Sequence, residues 1–179
     1  MNVTNSPGNV SAAEELISAG LRKTADKKVA MACSFSVEDL VVIDLLRKVA
    51  PQVSIFAIDT GRLHEETYEV AEALLQKYKL HIDWYLPQTD TLQQLESEKG
   101  LFSFRESVEN RLECCYIRKV EPLNRALTGF AGWITGQRRA QSAMRSTLEG
   151  IEIDDAHGGI IKINPLLDWS DEQVWTYAT

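Results

Sequence analysis

The sequence predicts an α/β fold, a parallel sheet covered by helices on both faces. Two patterns predict it. Short uninterrupted apolar runs alternate with longer stretches whose apolar residues recur at helical spacing, and the connections between them are short. At 179 residues, 44% of them hydrophobic, the chain can bury a sizeable core as one domain and is too short for two ordinary ones.

Residues 1–10 (MNVTNSPGNV) are polar and read as a disordered tail, without the basic and apolar regions of a secretory signal. Residues 11–179 then read as a single domain. Ser11 and Glu14 fit a capping box, so a helix opens there, with Leu16, Ile17 and Leu21 on one face. Residues 28–33 (KVAMAC) form a buried strand, and 34–36 a polar turn. Glu38 and Asp39 suit the positive end of the helix that follows, which Leu40, Val41, Ile43, Leu45 and Leu46 continue. Pro51 separates it from a strand at 53–58, which ends at Asp59-Thr60-Gly61 before a helix over 63–78. A third strand, 81–86, stops at Pro87, and a helix over 91–99 stops at Gly100. Residues 101–113 follow no single pattern. A helix over 115–127 contains Pro122, which kinks or breaks it. Strands follow at 133–135 and 160–163, and Ser170 with Gln173 caps a last helix. The chain stops at Thr179, inside that young helix, which predicts a polypeptide cut short.

Charge narrows the function. The net charge is −7, but residues 111–145 carry +5 and the remainder −12. An acidic surface repels nucleic acid, whereas a local basic cluster suits a small anion; a solvated helix face is the competing reading. No run approaches the roughly 20 apolar residues that span a bilayer. Three cysteines are too few for a disulfide scaffold and, being odd in number, point to a reducing, cytoplasmic compartment.

Ligands of open parallel sheets sit beyond the carboxyl ends of the strands, and three candidate segments fall there. In the first, Ser34, Phe35 and Ser36 precede a helix N-terminus that can meet an anion, or simply cap it. In the second, Asp59 can accept from a ribose or base, Thr60 can cap, Gly61 allows close approach and Arg62 can meet a phosphate; a plain turn explains the same residues. His64 reads as an exposed first-turn residue. In the third, Gly136 is followed by Arg138, Arg139 and Arg145, a clamp for an oxyanion or a solvated face. Cys114 and Cys115 are adjacent, so they do not pair with each other. Thiolates can hold zinc or an iron–sulfur cluster, but four ligands are needed; the one other cysteine, Cys33, reads as a small buried hydrophobe.

Taken in order, Ser34-Phe35-Ser36-x-Glu38-Asp39, Asp59-Thr60-Gly61-Arg62-Leu63-x-x-Glu66-Thr67, Cys114-Cys115-x-x-Arg118-Lys119-Val120-Glu121-Pro122-Leu123, Trp133-x-Thr135-Gly136-x-Arg138-Arg139-x-Gln141-Ser142 and Asn164-Pro165-Leu166-Leu167-Asp168-Trp169 resemble the assimilatory sulfonucleotide reductases, over roughly residues 28–179. The resemblance implies an adenine nucleotide alpha-hydrolase-like sheet, related to the ATP pyrophosphatases. It implies thioredoxin-dependent reduction of adenosine 5′-phosphosulfate (APS) to sulfite and AMP, since the cysteine pair marks members that carry a 4Fe–4S cluster. Reductases of the 3′-phosphorylated substrate (PAPS), or of both, are the alternative; a non-redox adenine-nucleotide-binding module is an alternative of another class. An adenylyltransferase is disfavoured because Ser-Gly-Gly-x-Asp-Ser is absent.

By the same resemblance, Ser34, Phe35, Ser36, Asp59, Thr60, Gly61, Arg62 and Gly136 hold the nucleotide. Lys119, Arg138 and Arg145 face phosphate and sulfate, and Lys119 also supports catalysis. Cys114 and Cys115 are two of the four cluster ligands. The partners implied are APS or AMP and a thioredoxin-like thiol, with neither nucleic acid nor membrane; a homo-oligomer is compatible with it. The second cysteine pair and the C-terminal nucleophilic cysteine of the family are not in this sequence, so catalysis by these residues alone is not expected.

Overall fold

The computed structural model describes residues 7–25 and 27–179. Its elements run α1 (Pro7–Lys23), β1 (Val29–Cys33), α2 (Val37–Val49), β2 (Ser54–Ile58), α3 (Glu65–Tyr78), β3 (Ile82–Tyr85), α4 (Thr89–Lys99), α5 (Val108–Cys115), α6 (Glu121–Leu127), β4 (Gly132–Ile134), β5 (Ile151–Asp154), β6 (Ile160–Ile163) and α7 (Asp171–Ala178). The strands form a sheet in the order β3-β2-β1-β4-β6-β5, mostly parallel and flanked by helices.

The first predicted boundary shifts. Residues 7–10 are helical rather than tail, because Pro7 suits a first helical turn, where its missing N–H costs nothing; residues 1–6 of that tail lie outside the described residues. Ser11 is therefore inside α1, not its cap. The sheet also gains a strand that the sequence reading missed. β5 pairs antiparallel with β6, Ile151 opposite Ile163 and Asp154 opposite Ile160, so the sheet is mixed. Ile151 and Ile153 alternate with Glu152 and Asp154, as in a half-solvated edge strand, and Ile153 is 66% exposed.

The chain divides into two compact units, residues 1–55 with 129–179 and residues 56–128. In the first, β1 and β4 run parallel, as do β4 and β6. The apolar residues of β1 and β4 are almost all buried, on both faces, which is why these two strands read as unbroken hydrophobic runs, whereas β6 is half-buried and interrupted by Lys162. Met31, Ile43, Leu45, Ile134, Ile163, Leu166 and Val174 are fully buried here, and Ile17 of α1 joins them. Because the three strands are parallel and in register, the segments that follow them, from residues 34, 135 and 164, leave from one rim.

The second unit packs Leu95, Cys114 and Ile117 into a cluster with Leu92 and Phe104. Residues 101–113, unassigned from sequence, hold a single 3-10 turn (Ser103–Arg105) and then α5, capped by the Ser107 hydroxyl. The helix expected over residues 115–127 is divided just before Pro122. The five residues Tyr116–Val120 adopt a π-turn, with the Glu121 amide donating to the Tyr116 carbonyl five residues back. Pro122 then falls in the first turn of α6, where no donor is required of it.

Candidate functional site

In the first unit the 34–36 loop is built around one carboxylate. Both the amide and the hydroxyl of Ser34 donate to Asp39 Oδ2, at 2.6 and 2.7 Å. The Ser36 hydroxyl accepts from the Asp39 amide and caps α2. Phe35 is pinned between them at φ 63, a left-handed conformation rare for a bulky residue and held only by its surroundings. Phe35 is buried while Ser34 is exposed. Burial pushes the Asp39 carboxyl up, against the Ser34 and Ser36 hydrogen bonds, and the charge of Glu38 adds to the rise. Cys33, just before the loop, is 5% exposed, and burial, with the charge of Asp39, drives its thiol far above the ordinary range. It is the inert buried residue expected.

Gly136 meets this loop at its base. A Cβ placed there would lie 2.7 Å from Asp39 Oδ1 and 2.9 Å from Glu38 Cβ. The glycine is thus needed for close approach, not for an unusual backbone angle. Arg138 departs from the expected clamp. It is 4% exposed and turned inward: Nε and Nη2 donate to Glu38 Oε1 at 3.1 and 2.7 Å, Nη1 donates to the Trp169 carbonyl at 3.0 Å, and Nη2 also meets Asp171. Gln141 completes the ring, donating to Glu38 and accepting from the Arg138 amide. A guanidinium so engaged holds α2, the 138–141 segment and α7 together; it is not an open anion site. Its neighbours differ. Arg139 is exposed and pairs with Asp168, and Arg145 is half-buried and donates to Gln141. Behind them the buried Thr135 hydroxyl donates to Asn164, tying the ends of β4 and β6.

The Glu38 carboxyl is buried, which alone would raise it, but the hydrogen bonds and charge of Arg138, with Gln141, hold it below its ordinary value of 4.5. The stability this pair contributes is therefore complete above pH 4.5 and is lost as pH falls through the lower folded value. Asp39 acts with the opposite sign, since its protonation favours the fold. Glu38→Gln is expected to flatten the acid limb of the urea-midpoint profile below pH 4.5; a limb as steep as in the unaltered protein would refute the assignment.

In the second unit the Asp59-Thr60-Gly61-Arg62 turn is equally well tied. Asp59 accepts from the Gly61 amide at 2.8 Å and from the Tyr68 hydroxyl at 3.0 Å, and the Thr60 hydroxyl accepts from the Arg62 amide. Gly61 has φ +67. The exposed Arg62 side chain donates to the Leu101 carbonyl and lies over the rings of Phe102 and Phe104, 5.7 and 4.8 Å from their centroids. Arg105 stacks on the same two rings. Arg118 is buried in the π-turn and donates through Nη1 to the Thr60 carbonyl at 2.7 Å. Lys119, next to it, is exposed, and among the described residues nothing pairs with its ammonium. His64 is exposed at the start of α3 without capping it by its side chain.

Cys114 is buried and Cys115 exposed at the end of α5. Among the described residues no three His, Cys, Asp or Glu side chains gather into a metal site. Two adjacent thiols supply only half of the ligands of a four-thiolate cluster. No helix among the described residues is long and apolar enough to cross a membrane. Along the chain nothing singles out Arg118 among its basic neighbours, and nothing marks Tyr68, Glu96, Phe102, Phe104 or Asp171, whose roles depend on contacts between distant elements.

The chain is 44% identical over 150 residues to the adenosine 5′-phosphosulfate reductase of Burkholderia cepacia, covering 84% of this chain and 60% of that protein. It spans 59–66% of the length of the first three curated relatives it matches. Its fold is that of the phosphoadenylyl-sulfate reductase of Candida auris, seen as a phosphate complex (TM-score 0.73, 24% identity, covering 99% of this chain and 87% of that one). It also matches FMN adenylyltransferase of Candida glabrata in complex with ATP (TM-score 0.64, 14% identity, 94% and 53% covered). The predicted adenine nucleotide alpha-hydrolase-like fold is thus the observed one, with an antiparallel edge strand added. Residues 28–179 match the phosphoadenosine phosphosulfate reductase domain, and the chain belongs to that family.

Proposed function

We propose that this chain is the nucleotide-binding part of an enzyme that reduces APS to sulfite and AMP in sulfate assimilation, in the cytoplasm. The observation that carries this reading is the build of the second unit. One helical run bears the Cys114-Cys115 pair and, three residues on from Cys115, the Arg118 that holds the Thr60 carbonyl. Thiol chemistry and a turn suited to a nucleotide thus share one support. The name of the relative in Burkholderia cepacia favours APS over its 3′-phosphorylated form.

In the first unit the proposed contacts are Ser34, Phe35, Ser36, Gly136 and Arg145, with Arg138 holding the segment that carries them. In the second they are Asp59, Thr60, Gly61, Arg62 and Lys119. The reaction places negative charge on a leaving AMP next to an already anionic sulfonate, so it needs cations with free donors; Lys119 meets that need. A thiolate attacks the sulfate sulfur, the bond from sulfur to the bridging phosphate oxygen breaks, and AMP departs. One thiolate of a thioredoxin-like dithiol then attacks the cysteine sulfur and expels sulfite, leaving a mixed disulfide; its second thiol breaks that disulfide, so the dithiol departs oxidised and the enzyme thiol is restored. Cys33 is unsuited to be the nucleophile, because its buried thiol stays protonated. Cys114 and Cys115 are proposed as two of the four thiolate ligands that a 4Fe–4S cluster needs.

Titration calorimetry on the 179-residue chain tests the reading. Heat is expected with AMP and with APS, and weaker binding with PAPS. A folded sample that gives no heat with AMP or APS would overturn the function, and tighter binding of PAPS would overturn the substrate.

A further inference from the structure

We propose that Glu96 is a positioning residue: acting through Arg118, it fixes the 59–62 turn in the form that holds the nucleotide. The proposal rests on the nucleotide-binding reading above and adds a residue from outside every motif of the sequence.

Glu96 lies on α4, beside a shallow cavity of about 360 Å³ that it lines with Thr89, Leu92, Gln93 and Ser97. Its carboxylate pairs with Nη2 of Arg118. The Arg118 side chain is 6% exposed and that of Glu96 is 32% exposed, so this ion pair reaches from solvent into the interior. On its other side Arg118 donates from Nη1 to the Thr60 carbonyl at 2.7 Å, and its Nε has no hydrogen-bond partner. The guanidinium is therefore held by two acceptors, and only one of them is charged.

The turn depends on that guanidinium. The bonds from Asp59 to the Gly61 amide and from Thr60 to the Arg62 amide fix its internal shape. Its position is fixed from outside: Tyr68 holds Asp59 and the Leu101 carbonyl holds Arg62 at its ends, and Arg118 holds its centre, by donating to the Thr60 carbonyl and by lying so close under Gly61 that an added Cβ would come within 3.2 Å of Nη1. A buried guanidinium that loses its counter-ion is driven toward water. Without Glu96, Arg118 leaves the floor of the turn and the Thr60 carbonyl loses its donor.

The test compares the unaltered 179-residue chain with Glu96→Ala and Glu96→Gln, by backbone 15N order parameters and by AMP titration. In Glu96→Ala the order parameters of Gly61 and Arg62 are expected to fall from about 0.85 toward 0.6, while those in α3 hold. AMP affinity is expected to drop about tenfold as preorganisation is lost. Glu96→Gln keeps an oxygen acceptor but removes the counter-ion, so it is expected to recover both only in part. A turn as rigid in Glu96→Ala as in the unaltered chain overturns the proposal. So does a general loosening of α3 and α4 that Glu96→Gln fails to rescue, which would make Glu96 structural only. If the unaltered chain gives no heat with AMP, the nucleotide reading fails instead, and the order parameters still decide whether Glu96 fixes the turn.

Discussion

Arg138→Ala is expected to destabilise the protein by about 3–5 kcal/mol, because it leaves the Glu38 carboxylate buried without its counter-ion. The side chains are 4% and 9% exposed, so solvent screens the pair little. For a chain of this size the loss corresponds to a fall in Tm of roughly 10 °C. Four donor contacts disappear together: two to Glu38, one to the Trp169 carbonyl and one to Asp171. Asp171 supplies an internal control. Its side chain is 82% exposed, so Asp171→Ala is expected to cost no more than about 1 kcal/mol. A second control replaces both buried partners. In Glu38→Gln with Arg138→Met no uncompensated charge remains, and stability is expected to recover part of the loss. Urea denaturation of the three variants decides the matter. If Arg138→Ala lost less than about 1 kcal/mol, Arg138 would not hold the rim and the outward-facing role would stand.

That reversal of Arg138 marks where the sequence could be read and where it could not. β1, α2, β6 and α7 are legible because each follows from local rules. β1 is an apolar run buried on both faces, and α7 carries a capping box whose two hydrogen bonds both form. β5 escaped because an edge strand of four residues with two acids shows too little apolar density to stand out. The residues of the candidate site were legible as types. Ser34, Ser36, Asp59, Gly61 and Gly136 all lie in loops at strand ends, where such residues have local work to do. Direction was not legible. Arg138, Arg139 and Arg145 look alike along the chain, yet one is buried against Glu38 a hundred residues away, one pairs with Asp168 at the surface and one reaches Gln141. Which arginine turns inward is set by the acid that the fold brings to it. Glu96 is the extreme case: nothing near it in sequence marks it, and only the meeting of α4 with the π-turn gives it Arg118. The π-turn itself could not be foreseen, because Pro122 alone fits a kink, a break or a shifted register equally well.

Gly136→Ala is expected to impair both stability and nucleotide binding, and the space around it says why. An added Cβ would lie 2.7 Å from Asp39 Oδ1, 2.9 Å from Glu38 Cβ and 3.3 Å from the Asp39 amide nitrogen. None of these can yield cheaply. Asp39 Oδ1 belongs to a carboxylate whose other oxygen is gripped by Ser34, Glu38 Cβ sits on the first turn of α2, and the Asp39 amide is bound to Ser36. The methyl group must therefore push the end of β4 away from α2, or pull Asp39 from Ser34. Overpacking of this kind costs about 1–3 kcal/mol. The second outcome has a further consequence, because Asp39 is what pins Phe35 in its left-handed conformation. Once Ser34 is released, the loop relaxes, and AMP titration should show weaker binding than the stability loss alone explains. A denaturation curve and a titration on the same sample separate the two effects. Should Gly136→Ala match the unaltered protein in both, the close approach of β4 to α2 would not be what shapes the 34–36 loop, and Gly136 would have no part in the site.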